Sequence, residues 1–241
     1  MGRLKHFVKS MLSEDSTHAL SAAMRFCDLK LQELGWHIRC GHGVRRKRIR
    51  EYLGNHRGVK VHFGCGGKNI SGFLNSDLLG EIPINICRRL PFPDQSVDLI
   101  YSSHVVEHVH ENDFRLFLRE SHRIMKASGV NIIATPTIEK AVSNAYSQDG
   151  SILSTLMELD LQFMSDGFVG PSTYLNHLFR WWDHKCLYDE EAIRHYAKEA
   201  GFSNVERVPN LEVPDEDLRT FLANTATPRW LLETETFLVR K

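Results

Sequence analysis

The sequence predicts an α/β fold, a mostly parallel sheet covered by helices. Three observations predict it. A strand-like run, Val59 to Phe63, enters a glycine turn and is followed within a few residues by a second short strand and an acid. Further apolar strand runs come next, and between Asp113 and Lys126 stands a clear amphipathic helix followed by another strand. The polar, chemistry-bearing residues cluster just after the strands, the edge where open α/β sheets bind ligands.

The first strand alternates Val59, Val61 and Phe63 with Lys60 and His62. Gly64-Cys65-Gly66-Gly67 then turns the chain and exposes main-chain N–H groups to a ligand. Phe73-Leu74-Asn75-Ser76 is the second strand and Asp77 ends it. A carboxylate there suits the two hydroxyls of a ribose. A dinucleotide fingerprint would need a third spaced glycine and an acid about 20 residues on, and a P-loop would need G-K-[ST]; neither is present.

Ile82 to Cys87 reads as a third strand, with a rigid turn at Leu90-Pro91-Phe92-Pro93-Asp94. Val97 to Ser102 is the fourth. Ser103-His104-Val105-Val106-Glu107-His108-Val109 lies on the loop and helical turn beyond it. In the helix from Asp113 to Lys126, Phe114, Phe117, Leu118, Ser121, Ile124 and Met125 share one face. Gly129 then occupies a turn position expected to need positive φ, and Val130 to Thr135 is the fifth strand.

The chain has 241 residues, 42% hydrophobic and 25% charged, enough for one well-buried core plus an appendage. Net charge is zero, which gives no global pull toward nucleic acid. Five scattered cysteines without C-x-x-C spacing argue against a disulfide framework and for a reducing compartment. The sequence shows no apolar run long enough to span a membrane and no secretion signal, so the expected location is cytoplasmic. Residues 1–57 read as a helical appendage, with stripes at Leu4–Leu12 and Leu20–Leu34 stopped by Gly35, and residues 58–241 as the main domain. Arg45 to Arg50 holds five cations in six residues. It suits phosphate, an anionic sugar or an acidic membrane, or else forms a solvated helix face; the balanced charge elsewhere favours the solvated face.

The blocks VHFGCGGKNISGFLNSDL, LPFPDQSVDLIYSSHVVEHV and FLRESHRIMKASGVNIIATPT resemble a class I S-adenosylmethionine-dependent methyltransferase. More narrowly, they resemble small bacterial enzymes that start G-C-G-x-x-P-x-x-G-[WF]-x-N-x-D and are often associated with surface polysaccharide. The resemblance spans about Val59 to Pro136 and resumes at DHKCLYDEEAIRHYAKEAGFSNVERV; Glu235 to Val239 looks like the closing strand. It implies a Rossmann-like seven-stranded, mostly parallel sheet with an antiparallel last strand and helices on both faces; residues at about 137–183, the least family-like, read as a helical lid over the carboxyl edge. It implies S-adenosylmethionine as cofactor, with Phe63, Gly64, Cys65 and Gly66 under its methionine part and Asp77 on its ribose. Asn85 and Ile86 would flank adenine, and Ser102 and Ser103 would lie near the methionyl carboxylate and sulfonium. Two positions depart from the pattern. Asn85 stands where the family usually has Asp, and Met125-Lys126-Ala127-Ser128-Gly129 replaces L-K-P-G-G.

Methyl transfer to a hydroxyl needs a base. His104 and His108 are the candidates, since neutral imidazole is competent near pH 7. His104-x-x-Glu107-His108 also has metal-ligand spacing. The expectation is nonetheless no metal, because the segment follows a strand in a cofactor site and imidazole suits hard cations poorly. In the lid, His177 and Arg180 belong to an aromatic and basic run, and His184 and Tyr188 match the family's H-x-x-x-Y-D block. Asp189 is a candidate cap for a helix ending at Gly201. Leu211 to Trp230 reads as a second, irregular, acidic insert that shapes a partner surface.

The expected activity is methyl transfer to a small molecule or glycan, at oxygen. The rivals are a non-catalytic S-adenosylmethionine-binding relative and an RNA methyltransferase using Arg45–Arg50. Nucleic acid is the less favoured partner, and oligomeric state stays open.

Overall fold

The structure, a computed structural model, describes residue 35 and residues 43–241 apart from 79, 149, 161–169 and 181. The two N-terminal stripes through Leu34, Trp181 and the middle of the lid lie outside the described residues. Gly35 is itself helical. The chain divides into two compact units, Met1–Arg45 and Arg46–Lys241. Apart from the first two residues of its first described helix, everything below concerns the second unit.

That helix, α1 (Val44–Asn55), buries Ile49. Its cations are partly matched: Arg48 pairs with Glu81 at 2.9 Å and Lys47 with Glu51 at 3.8 Å. β1 (Lys60–Phe63), β2 (Leu74–Ser76), β3 (Val97–Ser103) and β4 (Met125–Pro136) are parallel. β6 (Thr234–Arg240) runs antiparallel between β4 and β5 (Asn204–Val208), in the sheet order β2-β1-β3-β4-β6-β5. The antiparallel last strand is as expected.

Six strands are described, not seven. Ile82 to Cys87 does not pair. Pro83 has no N–H to donate, and the Asn85 side chain accepts from Cys87 N–H at 2.8 Å, which turns the chain. The run is apolar because Ile84 and Ile86 are buried in the core, not because they sit in a ladder.

Side chains alternate across the sheet. Val61, Phe63, Ile100, Ile133 and Phe237 pack with α2 (Glu111–Ile124) and α6 (Glu190–Glu199) on one face. Leu99, Tyr101, Ile132 and Leu238 pack with α7 (Glu216–Thr225) on the other. α2 buries Phe114, Phe117, Leu118, Ser121 and Ile124, as its periodicity predicts. It stops one residue before Met125, which already pairs with Val97 as the first residue of β4. Gly129 is therefore extended and not at positive φ. It is glycine for another reason: a Cβ there would lie 2.5 Å from Met125 Cγ and 3.0 Å from the Asp98 carbonyl oxygen.

Between β4 and α6 stand α3 (Ile138–Ala145), α4 (Ser151–Asp160) and α5 (Pro171–Arg180). They share a small core of Ala141, Ala145, Leu156, Tyr174 and Leu178. Asp189 caps α6 by accepting from Ala192 N–H at 2.7 Å, and Gly201 follows the helix at φ 101°.

The stretch 211–230, expected to be irregular, is mostly helical. Its acids start a helix: Asp215 accepts from Leu218 N–H at 3.0 Å and, with Asp217, holds Lys60 at 2.6 and 2.9 Å. Thr227 caps the short α8 (Pro228–Glu233), with Pro228 in its first turn.

Candidate active site

The glycine turn leaves β1 at Gly64, whose φ is 69°. A Cβ at Gly64 would lie 2.3 Å from Val105 Cγ2, so only glycine fits against the loop after β3. Cys65 N–H donates to Ser76 O at 3.0 Å and Gly66 N–H donates to Asp77 Oδ2 at 3.1 Å, which ties the turn to the end of β2. Gly66 and Gly67 take φ of 52° and 85°, and no atom comes within 4 Å of where their Cβ atoms would stand. Their backbone is open to a ligand. Ser102 Oγ, at the neighbouring end of β3, is buried without a hydrogen bond. Open main chain, an acid at the end of β2 and an unsatisfied hydroxyl at the end of β3 fit a nucleoside cofactor that carries a charged amino-acid tail. Phe63 is fully buried edge-on against Phe92 and Phe117, leaving only its main chain for a ligand.

A cavity of about 410 Å³ opens over the ends of β1 and β3. Gly64, Cys65, Tyr101, Ser103, His104 and His108 line it from the sheet side, and Leu178, Trp182 and His184 from the lid. Asp77, Asn85, Ile86 and Ser102 do not line it, nor do His177, Arg180 and Tyr188. His177 is buried with its ring centroid 6.2 Å from that of Trp182, and Arg180 is exposed. Tyr188 is buried against Phe114, ring centroids 4.6 Å apart.

The remaining wall comes from the stretch 211–230 and the residues that follow it. Phe221, Arg229, Trp230 and Glu233 all line the cavity. Trp230 Nε1–H donates to Ser103 Oγ at 3.0 Å. Arg229 stacks 5.1 Å from the Trp182 ring centroid and pairs with Glu233 at 2.7 Å. The sequence reading missed this wall. Its signal was present, an aromatic and a basic residue beyond a Thr-Pro helix start, but the acids ahead of it drew the interpretation toward a surface.

His104 sits at φ 53°, uncommon for a residue with a side chain and worth a functional question. Its N–H donates to the Ala134 carbonyl at 2.9 Å. Nε2 lies 2.8 Å from Thr234 Oγ1, and Nδ1 lies 3.2 Å from Glu107 Oε1. Glu107 is fully buried on the 3-10 turn Val106–His108, and its Oε2 accepts from the Thr135 hydroxyl at 3.0 Å. Burial pushes the Glu107 carboxyl up; the interaction with His104 and the positive potential of His104 and His108 outweigh this and hold it below the ordinary range. His184 Nδ1–H donates to the Leu178 carbonyl at 2.6 Å. Burial lowers the His184 imidazole pKa, an effect the nearby Glu107 carboxylate only partly offsets. The His108 and His184 rings meet edge-on at 4.9 Å.

Residues 79–133 match a family model described as "Methyltransferase domain". No curated protein matches the chain. Among solved structures it is similar to a SAM-dependent methyltransferase from Archaeoglobus fulgidus, at 16% identity over 84% of this chain and 94% of that one, TM-score 0.44. It is also similar to a structure described as a complex between the Haloferax volcanii Trm112 methyltransferase activator and the putative methyltransferase, at 15% identity over 86% and 94%, TM-score 0.43. A third is Haemonchus contortus phosphoethanolamine N-methyltransferase 2 in complex with S-adenosyl-L-methionine, at 13% identity over 80% of this chain and 51% of that one, TM-score 0.41. The family match spans β3, the turn after it that carries His104, Glu107 and His108, α2 and much of β4.

Proposed function

We propose that the chain methylates a hydroxyl of a small molecule or glycan seated in the cavity over β1 and β3. One observation carries this reading. An imidazole, His104, lines that cavity beside Ser103 and is backed by a buried carboxylate, Glu107.

Bound S-adenosylmethionine supplies a methyl group on a sulfonium, already activated toward an in-line displacement. The residues of the chain bind, orient and move a proton. Gly64, Cys65 and Gly66 present main chain to the methionine part, and Asp77 accepts from the ribose hydroxyls. Asn85 and Ile86 flank the adenine, with Ser102 and Ser103 near the methionyl end. Near-attack positioning of this kind is worth roughly 7–11 kcal/mol. With Nδ1 facing the Glu107 carboxylate, the Nε2 of His104 holds the lone pair, which rests against the Thr234 hydroxyl at 2.8 Å; the acceptor hydroxyl takes that place and passes its proton to Nε2, while Glu107 stabilises the imidazolium that forms. His108 orients the acceptor. Trp182 and Trp230 offer flat apolar faces suited to a sugar ring or planar acceptor. Of the four lid candidates, the cavity lining supports His184 as an acceptor contact. His177, Arg180 and Tyr188 remain proposals without that support.

We place residues 1–57 as an appendage to a catalytic domain at 58–241, with 137–183 as its lid. The free thiols of Cys65, Cys87 and Cys186 support a reducing, cytoplasmic setting. The family's association with surface polysaccharide favours a glycan as the first acceptor to try.

Calorimetric titration with S-adenosylhomocysteine, with NAD as control, tests the cofactor, and an acceptor screen starting from sugars tests the reaction. The expected result is saturable binding of the thioether alone. His104→Ala should lower kcat by about 100-fold or more, the usual contribution of a general base, and leave thioether affinity unchanged. Equal turnover in a folded His104→Ala protein removes the base.

A further inference from the structure

Glu107, His108 and His184 each offer a ligand atom, and these atoms all lie within 4.8 Å of one another. We propose that they form a binding site for a divalent transition metal of the zinc class, at the wall of the cavity. His108 and His184 line the cavity and Glu107 is fully buried behind them, so a cation held there keeps open positions toward the cavity.

Two imidazoles and one carboxylate are the donor set of a catalytic zinc site, and imidazole nitrogen selects against magnesium and calcium. Ligand atoms around a tetrahedral zinc stand about 3.3 Å apart, so small side-chain rotations close the set. The outer contacts already suit it. His184 Nδ1–H is committed to the Leu178 carbonyl at 2.6 Å, which leaves Nε2 as the free donor. Glu107 Oε2 is held by Thr135 at 3.0 Å, and no hydrogen bond of good geometry reaches the buried Oε1 despite the 3.2 Å approach of His104. The two segments that supply the ligands are joined, because Lys185 and Cys186 donate their N–H groups to the Glu107 carbonyl at 2.7 and 3.2 Å. A buried carboxylate with one imidazole 3.2 Å away and two more beside it is a cation site by donor set as well as by shape. Sequence spacing alone named His104, Glu107 and His108. The fold instead turns the His104 ring toward Thr234 and brings in His184, 76 residues beyond His108 in the chain.

Resting on the methyltransferase reading, the cation's task is to hold the acceptor oxygen beside His104. Methyl transfer then forms the C–O bond, breaks the S–C bond, and sends the hydroxyl proton to His104.

The test uses the tag-free, metal-stripped full chain, titrated with cobalt(II) by visible absorption and with zinc by chelator competition. The expected result is saturable binding of a single equivalent, with ligand-field bands in the visible and no thiolate charge-transfer band. His108→Ala and His184→Ala should each weaken binding by about 100-fold or more, since outer-shell changes alone cost about 10–100-fold. His195→Ala, an exposed histidine of α6, should change nothing. No binding by well-folded protein, a thiolate band, or unchanged affinity in both His108→Ala and His184→Ala overturns the site. The readout needs no cofactor. Thioether titration of the same sample reports separately, so metal binding without thioether binding would sink the methyltransferase reading and leave the site standing.

Discussion

At Asp77 one carboxylate oxygen already serves the protein, accepting Gly66 N–H at 3.1 Å. The same side chain that would meet a ribose also shapes the glycine turn after β1. Asp77→Ala should therefore weaken S-adenosylhomocysteine binding by about 1–3 kcal/mol, the range for losing hydrogen bonds to a charged group. Calorimetry on a folded variant reads this directly, and unchanged affinity takes Asp77 out of the ribose site. Some residues were legible from the sequence because their setting is local. Gly64, Gly66 and Asp77 follow from a strand and a turn, and His104 from its place after β3. Tyr188 was not legible in this way. It forms an isolated bridge with Thr137, and nothing in a single extended residue says that its ring turns to Phe114 and the core. The sequence places Glu107 only on a loop and helical turn beyond β3. Only the fold shows it fully buried between Thr135 and two segments of the cavity wall.

The turn after β1 works as a unit with the loop after β3. At Gly64 the left-handed backbone and the 2.3 Å approach to Val105 both exclude a side chain, and they can be separated. Gly64→Ala should cost on the order of 2 kcal/mol, combining unfavourable φ with overpacking. Adding Val105→Ala removes the overpacking part only. The double variant should recover part of the stability in urea melts, and strict additivity of the two losses would mean the contact does not matter. A helix with a periodic face, such as α2, or with a capping residue, such as α6, could be read to within a residue or two. The run at 82–87 misled because burial and strand pairing select the same apolar residues, and Pro83 was the one mark against pairing. The stretch 211–230 misled in the opposite sense. Two of its acids, Asp215 and Asp217, serve a helix cap and the ion pairs to Lys60, so a segment that reads as a partner surface is anchored to β1 and closes the cavity.

Across the whole molecule, the strand order could not be read from the chain, since β6 inserts between β4 and β5 by pairing distant residues. At the other side of the sheet β1 is an interior strand, between β2 and β3, and its His62 is 3% exposed, with Nδ1 3.2 Å from Asn75 Oδ1 and its ring 5.1 Å from that of Tyr101. Burial lowers the His62 pKa to about 4, against smaller opposing effects of Asn75 and Asp77. The unfolded chain titrates this group near its ordinary value of about 6.5. Between those values the unfolded state binds the proton and the folded state does not, so the contribution is fully present above about pH 6.5 and is lost as pH falls toward about 4. His184 and His122, also lowered by burial, act in the same sense. Glu107 and Glu120, held below the ordinary carboxylate range, add their losses only further down. Urea unfolding at about pH 7.5 and about pH 4.5 should therefore show a stability drop that His62→Gln reduces by on the order of 2 kcal/mol, because the variant has no proton to bind at that position in either state. Equal drops in the two proteins would mean that His62 takes up its proton within the fold, and that the end of β1 beneath the cavity opens to water more readily than its packing shows.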